Sequence, residues 1–308
     1  MPLSDTMLKL LKLIEEEKTN NEICFNLNIS NRQLYSYLTT LQTKGFYFQR
    51  KYYSNGTIIY KPIKNINNLQ SILSMNNNSN KIITSPTENK LKTLTISDIH
   101  IGNELQRLDL LSRAYKYCHD NDIHIIFCCG DIIDGATTKG TQIISDTYEQ
   151  IEFLKNNFPS DKHILVFGTA GNHDETSLQH NQQDLLTILR KYRHDNIMNT
   201  YNNAIIEIKN DNIQLIHKFN KNIDKKGSII YYGHTHQYQT SLGIDHVISV
   251  YVPSLSNIIQ PMPSVIETSY DFKSGYIDNV DFKQIYFGEE DYILSTVKYS
   301  NLTMKRNY

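Results

Sequence analysis

The chain has 308 residues, 39% of them hydrophobic and 20% charged, with a formal net charge of -1. That composition supports a globular core, and no apolar run is long enough to predict a membrane helix. The near-zero charge excludes bulk attraction to polyanions, so any nucleic-acid contact must come from a local patch. A basic flank, apolar core and small-residue cleavage site of the signal-peptide type are not seen at the N-terminus. Cys24, Cys118, Cys128 and Cys129 show no CxxC spacing, and Cys128 and Cys129 lie inside an apolar run as small buried hydrophobes. A reducing cytoplasm, with no membrane partner, is the expectation.

Residues 1–64 predict three helices and a hairpin. Met7, Leu10, Leu11 and Ile14 recur at helical spacing. A short second helix starts near Asn21 and carries Ile23 and Leu27. Ser30 is placed to cap a third helix with an apolar stripe of Leu34, Leu38 and Leu41, and Gly45 ends it. Two β-rich runs, 46–53 and 57–60, flank Ser54, Asn55 and Gly56, and Asn-Gly between β-formers signals a hairpin. The stretch "ISNRQLYSYLTTLQTKGFYF" resembles the winged helix-turn-helix domains of bacterial regulators.

Between Glu22 and Glu88 there is no acidic residue, whereas Arg32, Lys44, Arg50, Lys51, Lys61, Lys64 and Lys81 are basic. If the third helix is a recognition helix, Arg32, Gln33 and Tyr35 at its start and Arg50 and Lys51 in the wing are the candidate DNA contacts. The alternative is a winged helix that binds protein, with its basic residues forming a solvated face. Residues 65–90 are rich in Asn and Ser and read as a linker, with a short helical piece at 69–73.

From residue 91 to 308, helices and strands alternate and strands then dominate. Strands are predicted at 94–97, 123–129, 164–168, 204–209, 213–217, 228–232 and 246–252, and helices at 105–117, 147–156 and 185–192. The segment 265–308 alternates apolar and polar residues. It is expected to complete the second sheet or to cap the pocket. This order predicts an α/β domain of two packed mixed β-sheets flanked by helices.

The chemistry sits where these strands stop. Strand 94–97 delivers Asp98 and His100, 123–129 delivers Asp131 and Asp134, and 164–168 leads to Asn172, His173 and Asp174. His217 ends the strand at 213, and His234 and His236 follow the one at 228. An Asp after a strand is by itself an ordinary turn or cap residue. Five such ends point toward one rim, where ligands bind in open α/β sheets. The His-x-His pair adds two imidazoles on one face of an extended segment. His119, His124, His163, His180, His194 and His246 fall outside these motifs and are read as ordinary surface or core residues.

Together "SDIHIG", "GDIID", "GNHD", "LIHK" and "GHTH" resemble the calcineurin-like metallophosphoesterase family over roughly residues 91–260. One departure is Lys218, where many members carry glycine. The resemblance implies that Asp98, His100 and His236 hold one metal, that Asn172, His217 and His234 hold the other, and that Asp131 bridges them. It implies His173 as the catalytic general acid and Asp174 as the residue that orients it, with attack by a metal-activated hydroxide. Asp134 is read as a loop stabiliser, and "VPSLSN" with Pro253 and Ser254 as either a pocket border or a plain turn. Two divalent ions are expected, manganese first, with iron, zinc or nickel as alternatives for a mixed N and O ligand set.

A DNA-cleaving nuclease or phosphodiesterase, with the winged helix holding DNA and a homodimer as the assembly, is the leading reading. A protein or small-molecule phosphatase, for example one acting on a cyclic nucleotide, and a DNA-binding regulator with a non-catalytic metal domain are the alternatives. On the leading reading, deletion of residues 1–64 weakens DNA cleavage and spares small esters.

Overall fold

A computed structural model of the chain describes residues 3–63, 79–85, 87–137, 141–259 and 262–305. The N-terminal part contains α1 (Asp5–Glu15), α2 (Asn20–Leu27) and α3 (Asn31–Thr43). Thr19 with Glu22 and Ser30 with Gln33 close reciprocal capping boxes, which satisfy the first free amides of α2 and α3. Leu10, Ile14, Ile23, Leu34, Leu38 and Leu41 are wholly buried, in the same core as Ile58 and Tyr60 of a hairpin made by β1 (Phe48–Tyr53) and β2 (Ile58–Pro62).

The hairpin is not a separate module. β1 pairs in parallel with β3 (Ser79–Ile83), which pairs in parallel with β8 (Asn203–Ile208). The wing-like strands therefore extend a sheet that starts far along the chain. This corrects the linker expected over 65–90, because its described second half contains a strand. Only two apolar residues, Ile82 and Ile83, mark that strand in the sequence, so its pairing comes from tertiary context. The helical piece expected at 69–73 lies outside the described residues.

The first sheet runs in the order β11 (Gln239–Leu242), β12 (Ile248–Tyr251), β10 (Ile229–Tyr232), β9 (Asp211–Ile216), β8, β3, β1 and β2. The second runs β15 (Asp291–Tyr299), β14 (Tyr276–Phe287), β13 (Ser264–Lys273), β4 (Lys90–Ile96), β5 (Ile125–Cys128), β6 (Leu165–Ala170) and β7 (Asn196–Tyr201). Both are mixed. In β5, Ile125 and Phe127 belong to the core between the sheets, while Ile126 and Cys128 face the other way. A central parallel strand buried on both faces reads as an unbroken apolar run for this reason.

Helices cover the second sheet's outer face: α4 (Leu108–Asp120), α5 (Thr147–Asn157), α6 (Asn172–Asn181) and α7 (Leu185–Tyr192), with the short α8 (Leu302–Lys305) beside β14. Leu110, Leu111, Ile151, Leu154, Leu185 and Leu189 lie in one core with Ile126 and Val166. The result is an α/β sandwich of two mixed sheets packed with helices. Among the described residues, no helix is long and apolar enough to cross a membrane.

Candidate metal centre

The C-terminal ends of β4, β5, β6, β9 and β10 converge on one rim. Asp98, His100, Asp131, His234 and His236 all adopt left-handed backbone conformations, with φ between 51° and 66°. Such a conformation is uncommon for residues other than glycine and costs free energy. Its recurrence at five converging residues marks backbone bent to aim side chains inward. Gly171 makes room for them, since a Cβ there would lie 2.2 Å from Asp131 Oδ1.

Each polar group is held from behind. Ser97 Oγ donates to Asp98 Oδ2 at 2.6 Å and the His234 amide donates to the same oxygen at 3.1 Å. His100 Nδ1 donates to Asp134 Oδ1 at 3.1 Å, which turns Nε2 toward the centre. His217 Nδ1 donates to the Cys129 carbonyl at 2.7 Å, so its Nε2 likewise faces inward. There Nε2 meets Asp131 Oδ2 at 3.0 Å and Asn172 Oδ1 at 3.1 Å. Both of those oxygens are acceptors, as is the Nε2 of a neutral ring, so a proton or a cation has to lie among the three atoms.

The electrostatics say the same. Burial opposes the charged form of His217, yet the neighbouring Asp131 carboxylate outweighs it and pushes the ring up to about 9. Burial also works against the Asp131 anion, but the His217 charge holds that carboxyl well below the usual range. On the other side, Asp98 Oδ1 and His100 Nε2 are buried without a hydrogen-bond partner. Asp98 Oδ1 is 3.2 Å from His236 Nε2 and 3.9 Å from His100 Nε2. Unsatisfied lone pairs facing one another are costly unless a cation fills the gap. Ligand atoms of Asp98, His100 and His236 lie within 4.8 Å of one another, as do those of Asp131, His217 and His234. The donor set of imidazole nitrogens and carboxylate oxygens fits a divalent transition metal.

Residues 91–238 match the calcineurin-like phosphoesterase family. The coarse chemistry that goes with this match is metal-dependent hydrolysis of phosphoesters. Solved structures similar to this chain include an archaeal phosphodiesterase (16% identity, 64% of this chain and 100% of that one, TM-score 0.43). A phosphoesterase from E. coli (15% identity, 67% and 98%, TM-score 0.43) and a nuclease from Pseudomonas putida (13% identity, 80% and 100%, TM-score 0.35) are also similar. No curated protein matches the chain.

Within the matched segment the structure brings together Asp98, His100, Asp131, Asn172, His217, His234 and His236, with His173 beside them. The His173 ring lies edge-on to His100, at 4.7 Å between centroids. Its Nδ1 donates to the Asp134 carbonyl at 2.7 Å, leaving Nε2 free.

Asp174 does not orient His173 as expected. Its Oδ1 accepts from the amides of Ile132 and Ile133, and its Oδ2 from that of Gly171, so it ties the β5 loop to the start of α6. Burial raises its pKa to about 6. The orienting residue is Asp134, which sequence order alone does not single out: it holds His100 with its carboxylate and His173 with its carbonyl, and takes donors from Asn103 and Gln142. Ser254 joins the centre too, donating to the Asp98 carbonyl at 2.9 Å.

The residues expected to touch DNA are placed differently. Tyr35 is buried and stacks on His194 at 4.6 Å, and Arg50 Nη2 lies 3.3 Å from His194 Nε2. Gln33 is spent on its capping box, accepting from the Ser30 amide at 2.8 Å. Lys51 lies on β1 opposite Ile59. Arg32 is exposed and lines a cavity of about 650 Å³ with Lys155, Lys191 and Arg193. Helical spacing shows which residues share a face, but not that this face turns toward α7 of the same chain.

Proposed function

We propose that the protein is a dinuclear-metal phosphodiesterase acting on DNA. The observation that carries the reading is the convergence of buried, unsatisfied Asp98 Oδ1 and His100 Nε2 with the acceptor cluster around His217 on one rim. Asp98, His100 and His236 would hold one cation, Asn172, His217 and His234 the other, and Asp131 both. Manganese is the first candidate. When bound, such a pair neutralises phosphate charge and makes a water acidic enough to attack phosphorus.

The chain's own residues supply the rest. The Asp131 carboxylate, fixed through Oδ1 by the His173 amide at 2.9 Å, sets the spacing of the two ligand groups. His173 holds a proton at Nε2 and passes it to the oxygen leaving phosphorus, while the Asp134 carbonyl keeps the ring from rotating. Arg32, with Lys191 on the same cavity wall, supplies the cationic surface through which the winged-helix-like part engages DNA.

The test is a substrate panel with manganese: labelled single- and double-stranded DNA, an aryl phosphodiester and an aryl monoester. DNA cleavage is expected, with kcat reduced about 10²- to 10⁴-fold in His173→Ala and bound metal unchanged. Turnover of the small esters with intact DNA would sink the DNA reading and leave a phosphatase. No turnover with any divalent metal, together with binding of a specific DNA sequence, would leave a regulator.

A further inference from the structure

Beside Asn172 opens a cavity of about 590 Å³ whose walls include Glu175, Tyr201, Lys218, Phe219 and Lys221. Because Asn172 belongs to both, the cavity continues directly from the candidate metal centre. Its volume suits a nucleoside with a phosphate and exceeds what a small monoester would fill.

Its walls are chemically uneven. Lys218 and Lys221 are exposed and have no carboxylate partner among the described residues, and Glu175 is the only acid on the wall. Phe219 is 61% exposed, and its ring lies tilted beside that of Tyr232 at 6.1 Å between centroids. An open aromatic face beside two unpaired ammonium groups is the pairing that binds a base by stacking and its phosphate by charge.

This wall is held in place rather than loose. The Lys218 amide donates to Asn202 Oδ1 at 2.7 Å, and the His217 amide donates to the Asn202 carbonyl at 3.1 Å. Asn202 thus pins the backbone on which His217, Lys218 and Phe219 follow one another. Lys218, directly after His217, thus lines the cavity at its border with the candidate metal centre.

We infer that this cavity is a subsite for an unpaired nucleotide flanking the scissile phosphate, with its base on Phe219 and its phosphate at Lys218 and Lys221. A base paired inside a duplex has both faces covered by its neighbours and cannot lie on Phe219, so the site selects single-stranded DNA. This inference rests on the DNA reading above.

The experiment uses the full-length, metal-loaded protein and one labelled sequence, single-stranded and as a blunt duplex. Phe219→Ala is expected to lower kcat/KM on the single strand about tenfold or more, through KM, with a smaller effect on the duplex. Phe219→Trp should restore it. Lys218→Ala with Lys221→Ala should raise KM on the single strand and flatten its dependence on salt. Equal losses on both forms, a loss in kcat alone, failure of Trp to restore, or a wild type that prefers the duplex would overturn the inference and leave the DNA reading standing. A wild type that turns over the aryl diester and cleaves no DNA would overturn the DNA reading, and the subsite with it.

Discussion

Gly171 illustrates how closely the centre is built at the scale of single residues. The Asp131 carboxylate, the Asp131 amide and the His217 ring all crowd the position a side chain would take there. Gly171→Ala therefore has to displace Asp131, the residue proposed to serve both ligand groups. We expect metal affinity to fall at least tenfold while far-UV circular dichroism stays native. Retained stoichiometric metal would show that the loop yields easily. The residues that converge on the centre were legible in the sequence because each follows an apolar strand and a short motif. The roles of Asp134 and Ser254 were not, since a carbonyl or hydroxyl that supports another residue leaves no trace in residue order. Asp174 misled for a related reason: neighbours along a helix point about 100° apart, so adjacency to His173 does not bring contact with its ring.

Between elements, the junction of α3, β1, β2 and the segment after α7 centres on His194. Its ring is buried, stacked on Tyr35, with Tyr60 Oη 3.3 Å from Nδ1 and Arg50 Nη2 3.3 Å from Nε2. Arginine only donates, so Nε2 accepts and the ring is neutral. Burial first, and the Arg50 charge second, hold its pKa well below the ordinary value. An unfolded His194 takes up a proton below about pH 6.5, whereas the folded one does not. The stabilising contribution is therefore full above that pH and is lost as pH falls through it, by at most about 1.4 kcal/mol per pH unit. His194→Gln removes this titration. Its melting temperature should fall less than that of the wild type between pH 7.5 and 5.5, and parallel slopes would contradict a neutral buried ring. Periodicity and the Ser30 cap marked α3 well, and α7 spans the same residues as predicted. The strand β3 escaped because a five-residue strand with two isoleucines takes its identity from its neighbours. Helix α6 escaped because a polar helix with little apolar periodicity resembles a loop.

At the scale of the molecule, the parallel pairing of β1 with β3 and of β3 with β8 makes the N-terminal part a piece of the first sheet. Tyr52 packs edge-on against Phe167 of the second sheet at 5.6 Å, so the two sheets share this contact as well. Removing residues 1–63 would strip the edge of β3 and uncover Ile82, which is 1% exposed. The expected outcome is a chain that aggregates or melts far below the full-length protein, with small-ester hydrolysis lost. This revises the expectation that truncation spares small esters. A soluble truncated protein with an unchanged melting temperature and intact small-ester hydrolysis would restore a detachable N-terminal domain.

The same pairing sets a timetable for the chain as it leaves the ribosome. Ile82 has Tyr52 on one side from the start, but its other partner exists only when Ile208 has been made, and Thr95, paired with Phe127, waits for Ile266 on its other side. Until β13 emerges, β4 presents a bare edge rich in apolar residues, the kind of surface that recruits other nascent chains. Both sheets must therefore close late and almost together. A translational pause before residue 264 would be more hazardous for this protein than one near its start.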